Sequence, residues 1–244
     1  MEVTKFKKGD TMEGKITYFD KVGPDNTDAT FAIAKQRASE LGIKTILIAS
    51  TRGETAAKAV DYFTGCRVVA VGHATGYREP NKNEFTDENR KKVESKGGAV
   101  LFASHAMTGM TRRPTPPVQP GGPPPAMPTG AILEIGDIIA NTLRIMCAGI
   151  KVVVECGVMA ADAGLIRTDE DVIAIAGSGR GADTAVTMRA ANARDLFRFR
   201  IKEILCKPLL YAGGGPPAGA PGAGAGAAPG AGAGAPPAGV RRPA

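Results

Sequence analysis

In Val172-Ile-Ala-Ile-Ala-Gly-Ser-Gly-Arg-Gly-Ala-Asp-Thr-Ala185 an apolar run leads directly into Gly177, Ser178, Gly179, Arg180 and Gly181. The run Ala182 to Ala191 that follows is compatible with a helix. A strand, a glycine-rich turn and a helix N-terminus together make an anion site, because backbone N–H groups point outward and the helix dipole favours negative charge. Arg180 adds a fork of donors suited to phosphate. Asp183 and Thr184 belong on this reading to the first helical turn, where an acid suits the dipole. The chemistry implied is the holding of a small phosphorylated molecule.

A second group points the same way. Ser50-Thr-Arg-Gly-Glu-Thr-Ala56 follows an apolar run and opens a helix, so the hydroxyls of Ser50 and Thr55 can join a cradle or simply cap the helix. Glu54 opposes a phosphate on charge but suits a sugar hydroxyl. His73 and His105, the two histidines of the chain, each follow an apolar run. Either can donate to a phosphate, shuttle a proton near neutral pH, or serve as a hydrogen-bonded loop residue. Arg78 and Glu79 read as a surface pair, and Asp162 as either a ligand contact or a loop cap. Gly177 to Gly181 departs from the Gly-x-Gly-x-x-Gly dinucleotide fingerprint, and Asp195 is wrongly placed for its acidic partner.

The elements that must position these residues alternate. Strands are expected at Ile16 to Phe19, Thr45 to Ala49, Arg67 to Val71, Ala99 to Ala103, Val172 to Ala176 and Phe199 to Leu205. Lys151 to Glu155 is a further apolar run, leading into Val158 to Gly164. Helices are expected at Asn26 to Leu41, from Thr55 to about Phe63, at Asp87 to Lys96 and at Ile132 to Ala148, the first capped by Asn26 or Thr27 and ended by Gly42. Short apolar runs alternating with helices predict a mainly parallel sheet covered on both faces. Ligands of such sheets sit beyond the carboxyl ends of the strands, where all the loops above lie.

Composition sets the boundaries. Residues 1–15 read as an N-terminal extension and 16–211 as one α/β domain with a Pro-rich insertion at 112–130. The Gly/Ala/Pro-rich stretch 212–244 reads as a disordered tail, since it cannot bury enough apolar surface to offset ordering. The net charge of +7 rests partly on Arg112, Arg113, Arg241 and Arg242. With four tyrosines, no tryptophan and no recognition motif, a dedicated nucleic-acid role is disfavoured. Cys66, Cys147, Cys156 and Cys206 show no Cys-x-x-Cys spacing, and no metal site is expected. No apolar run approaches a membrane span and the N-terminus lacks an apolar signal core, so a cytoplasmic protein without membrane contact is expected.

Asn26-Thr27, Ser50 to Ala56, His73-Ala-Thr-Gly-Tyr-Arg-Glu79 and Ser104-His-Ala106 carry a family resemblance, with Met159-Ala-Ala-Asp-Ala-Gly-Leu165, Asp169 to Ile175 and Gly181 to Ala185. From about Ile16 to Pro208, apart from the proline loop, the chain resembles the stand-alone proteins related to the C-terminal α/β domain of pyruvate kinase. The resemblance implies a three-layer α/β/α domain with a mixed, mostly parallel sheet. It implies a bound phosphorylated ligand, flavin mononucleotide (FMN) foremost, without pyruvate kinase activity, and by analogy a homo-oligomer. Carried over, Gly177 to Gly181 and Thr184 hold the phosphate, with Ser50, Glu54, Thr55, His73 and His105 around the rest. Ser178-Gly179-Arg180 departs from the bulkier residues of the family. Three functions stay open: a cofactor or metabolite binder, a flavin-dependent or phosphate-substrate enzyme using His73 or His105, and an allosteric sugar-phosphate sensor or interaction protein.

Overall fold

The computed structural model describes residues 13–108 and 134–209. The Pro-rich insertion at 112–130, the tail at 212–244 and most of the N-terminal extension lie outside the described residues. Seven strands form one sheet in the order β1-β7-β6-β5-β2-β3-β4. They are β1 (Thr17–Phe19), β2 (Thr45–Ala49), β3 (Arg67–His73), β4 (Ala99–Ala103), β5 (Asp171–Ala176), β6 (Thr184–Arg189) and β7 (Arg200–Pro208). β1 runs parallel to β7, and β5, β2, β3 and β4 run parallel to one another. Only β6 is antiparallel to its neighbours. The fold is therefore α/β with a mixed, mostly parallel sheet.

Side chains alternate across the sheet with the period of two that strands impose. Ile46, Ile48, Val68, Ala70, Ile173 and Ile175 pack on one face with α1 (Thr27–Leu41), α2 (Glu54–Tyr62) and α3 (Asp87–Ser95). Leu47, Val69, Val71, Val172, Ala174 and Ala176 pack on the other with α4 (Ile135–Arg144) and α5 (Ala148–Asp162). The result is three layers. The connections β1-α1-β2-α2-β3-α3-β4 advance one way over the first face. The return from β4 to β5 crosses the second, as a uniform right-handed crossover requires.

One expectation needs correcting, and one unassigned run finds its element. The run Ala182 to Ala191 is not a helix but holds strand β6, which pairs with β5 in the register Ala176↔Thr184. β6 is buried on both faces, so its alternation of small and β-branched residues carries no polar face to reveal it. The apolar stretch from Lys151 to Gly164, given no element from the sequence, lies largely within helix α5. Residues 149–151 and 153–161 are all buried, and a helix apolar all round shows no periodicity to separate it from a buried strand. The first helix ends at Gly42 as expected. Its proposed caps act otherwise, for Asn26 makes no side-chain cap and the Thr27 hydroxyl accepts from the Ala182 N–H across the molecule at 3.0 Å.

Candidate functional site

The loops leaving β2, β3, β4 and β5 meet over one end of the sheet, and α5 closes the side. Between them lies a cleft of about 460 Å³. Across the sheet the order of strands sets the order of chemistry: the glycine loop after β5, Ser50 to Thr55 after β2, His73 ending β3, and His105 after β4. The connections after β3 and β4 depart to opposite faces of the sheet, the arrangement that opens a crevice in such folds.

The glycine loop is the end of a hairpin, so no helix starts from it; the first expectation for Gly177 to Gly181 is corrected on this point. What shapes the loop is Asp183. Its fully buried carboxylate accepts from the backbone N–H of Gly23 at 3.1 Å and of Ser178 at 3.1 Å. It also accepts from the Thr184 hydroxyl at 2.9 Å. Asp183 is thus the organiser of the loop rather than a first-turn helical acid. Close packing explains two of the glycines. A Cβ on Gly177 would lie 2.4 Å from the Gly181 carbonyl oxygen, and one on Gly181, at φ +69°, would lie 2.4 Å from Pro24 Cα.

Gly177, Gly179, Arg180 and Gly181 line the cleft, as do Ser50, Glu54, Thr55, His73 and His105. Ser178 and Thr184 do not: the Ser178 N–H is turned to Asp183, and Thr184 is fully buried beside Cys147, with Sγ 3.6 Å from its hydroxyl. The Ser50 hydroxyl accepts from the Ala56 N–H at 3.3 Å, so it fastens the start of α2 from the cleft floor. Arg180 approaches Glu54 at 3.8 Å, joining the two loops across the opening. Arg52 has no side-chain partner among the described residues. Its loop is pinned, for the Arg52 carbonyl accepts from the Thr86 N–H and from Asn89 Nδ2.

The far end of the cleft holds groups that sequence reasoning missed. Lys151 and Glu155 stand four residues apart on α5, both buried, and pair with each other. Glu155 also accepts from the Met107 N–H at 3.3 Å, and its Oε2 lies 3.7 Å from His105 Nδ1. The Lys-x-x-x-Glu spacing inside an apolar run was the available signal, since it places both on one helix face. Glu84 plays the corresponding part for His73, with Oε2 2.6 Å from Nδ1, while its other oxygen accepts from Arg78 Nε at 2.8 Å. Arg78 therefore pairs with Glu84, not with Glu79, which instead meets Lys82.

Three rings gather here. The His73 and Tyr77 centroids are 4.0 Å apart, and the His73 and His105 rings meet edge to face at 5.3 Å. Burial holds the His105 pKa below its usual value, with Glu155 opposing that shift and Lys151, His73 and Arg144 reinforcing it. Burial also pushes the Cys156 thiol up to about 12, so this cleft-lining cysteine is no thiolate nucleophile near neutrality. Asp162 accepts from Asn192 Nδ2 and the Ala193 N–H, which makes it a loop cap. Among the described residues no cluster of three or more His, Cys, Asp or Glu gathers to hold a metal. Likewise no described helix is long and apolar enough to cross a membrane.

No protein-family model matches the chain. The chain is similar in structure to a pyruvate kinase from Cryptosporidium parvum, with 14% sequence identity over 68% of this chain and 23% of that one, at a TM-score of 0.33. A second structure of Cryptosporidium parvum pyruvate kinase matches at 13% identity, over 68% of this chain and 22% of that one, again at 0.33. The chain thus spans less than a quarter of the length of those enzymes.

Proposed function

We propose that the cleft binds a small phosphorylated molecule, with FMN the first ligand to test, and that pyruvate kinase activity is no part of its role. The observation carrying this reading is Arg52, unpaired among the described residues just before α2, which lines with Arg180 a cleft of about 460 Å³. That volume falls within the roughly 300–1,000 Å³ of small-molecule sites. Five cationic side chains line it against three carboxylates, so an anionic ligand is favoured on charge. The N–H groups of Glu54 and Thr55, at the start of α2, lack helical acceptors and suit a phosphate, while that of Ala56 is taken by Ser50.

The residues present fit a flavin nucleotide. Arg52, Arg180 and the N–H groups of Glu54 and Thr55 would hold its phosphate, and the side chains of Glu54 and Thr55 would meet ribityl hydroxyls. The rings of His73, Tyr77 and His105, with Val152 and Met159 lining the same cleft, would take a flat apolar system. A bound flavin supplies electron and hydride transfer.

The test is to purify the full chain without added cofactor, record its visible spectrum and identify any small molecule released on denaturation. Yellow protein releasing FMN is the expected result. Colourless protein that gains no thermal stability from FMN would remove the flavin and move the reading to a sugar-phosphate binder or sensor.

A further inference from the structure

Two carboxylate-backed histidines face one another in the cleft. Glu84 stands behind Nδ1 of His73 at 2.6 Å and Glu155 behind Nδ1 of His105 at 3.7 Å. Each carboxylate is held in turn by a cation, Arg78 in one case and Lys151 in the other. Glu84, within hydrogen-bond reach of Nδ1, keeps a proton there, so that Nε2 of His73 is the nitrogen that takes or gives the working proton; Glu155 at 3.7 Å lies beyond hydrogen-bond reach of His105 and acts on that ring through its charge. No hydrogen bond among the described residues uses Nε2 of either ring, and both rings line the cleft. The side chains are stiffly placed: Glu155 is buried, and its second oxygen receives the Met107 N–H two residues beyond His105.

A binding site needs only donors aimed at its ligand. Two imidazoles with centroids 5.3 Å apart, one hydrogen-bonded to a carboxylate and the other with a carboxylate nearby, match a different need, that of moving a proton between neighbouring atoms. We propose that His73 and His105 are paired catalytic residues for a 1,2-proton shift on a phosphorylated hydroxycarbonyl compound, a sugar phosphate in its open-chain form. The proposal rests on the reading of the cleft as a phosphate site, and takes a sugar phosphate as its occupant.

The step balances without any oxidant or reductant. His105, kept neutral by burial, takes the proton from the carbon beside the carbonyl through Nε2. The C–H electron pair becomes a C=C bond, and the carbonyl π pair takes a proton from protonated His73, giving an enediol. His73 then removes the proton of the neighbouring hydroxyl, whose oxygen becomes the new carbonyl. His105 returns its proton to the adjacent carbon. Hydrogen has moved one carbon along, the carbonyl has moved the other way, and both rings are restored. Glu84 and Glu155 are positioning residues in this scheme, and Lys151 balances the charge of Glu155.

The full-length protein is incubated in D2O with ribulose 5-phosphate and with fructose 6-phosphate. Proton NMR follows exchange at the carbon beside the carbonyl and formation of the isomer, while calorimetry measures binding separately. Binding with exchange of at least one sugar phosphate is expected. His73→Gln and His105→Gln should each lower that exchange, at saturating sugar phosphate, about 100-fold or more, well beyond any loss of affinity that calorimetry records. Glu84→Gln should displace the pH profile of exchange, which a merely structural contact would not do. Binding of the sugar phosphates without exchange, or exchange that survives both histidine substitutions, would overturn the proposal and leave the phosphate site standing. Binding of FMN or inorganic phosphate but of neither sugar phosphate would have the same meaning. Failure of all four to bind would remove the site and the proposal together.

Discussion

The carboxylate of Asp183 accepts a hydrogen bond at 3.1 Å from the backbone N–H of Gly23, which stands 160 residues earlier in the chain. The same oxygen receives the Ser178 N–H, and the other receives the Thr184 hydroxyl. One buried acid therefore joins the approach to α1, the glycine loop and the start of β6. Replacing it leaves buried donors without acceptors, at about 1–3 kcal/mol each. Asp183→Ala is expected to lower stability by about 3 kcal/mol or more in denaturant unfolding. A loss below about 0.5 kcal/mol would show that water replaces the carboxylate freely.

Gly179 and Gly181 separate backbone strain from crowding. Both have positive φ, but a Cβ on Gly179 meets nothing within 4 Å while one on Gly181 reaches Pro24 Cα at 2.4 Å. Gly179→Ala is expected to cost about 1 kcal/mol, the strain alone. Gly181→Ala should cost clearly more and displace the loop. Equal losses in parallel unfolding curves would contradict the packing described here.

The Lys151–Glu155 pair is buried, so removing one partner should hurt more than removing both. Lys151→Met strands a carboxylate and is expected to cost about 3–5 kcal/mol. The double variant Lys151→Met with Glu155→Leu should lose much less than the sum of the two single variants. Additive losses in a double-mutant cycle would mean that the two groups act independently.

His105 predicts a pH dependence whose sign follows from its lowered pKa. Between that lowered value and the ordinary value of about 6.5, the unfolded chain binds the proton that the native ring refuses, so stability falls on acidification through this window. The groups facing the ring are Glu155, Lys151, His73 and Arg144. His105→Gln should flatten this part of the curve of Tm against pH. An unchanged slope would place the dependence elsewhere, with Glu155 the first group to examine.

The parallel half of the fold is legible in the sequence and the hairpin is not. β2, β3 and β4 are short apolar runs separated by helices with polar faces, and the position of their loops at the strand ends is enough to assign them to the cleft. β6 escapes because Ala182 to Ala191 is rich in alanine and the strand is buried on both faces, while only the turn at Gly179 and Gly181 reverses the chain. Lys151 and Glu155 escape for a related reason, since a helix buried all round has no wet face to mark it. The site residues carried by strand ends are therefore visible, and those carried by α5 are not.

The sheet also constrains the order in which the chain can complete itself. Among the described residues β1 pairs only with β7, and Asp183 supplies the acceptor for the Gly23 N–H. During synthesis the first strand must wait, without a neighbour, until residues beyond 200 have emerged. Such distant pairing is slow because the intervening loop must close before any contact rewards it. The parallel core from β2 to β4 can gather earlier, with two of its loops already placed. The glycine loop, and with it the closed outline of the cleft, is then among the last features to form on a nascent chain.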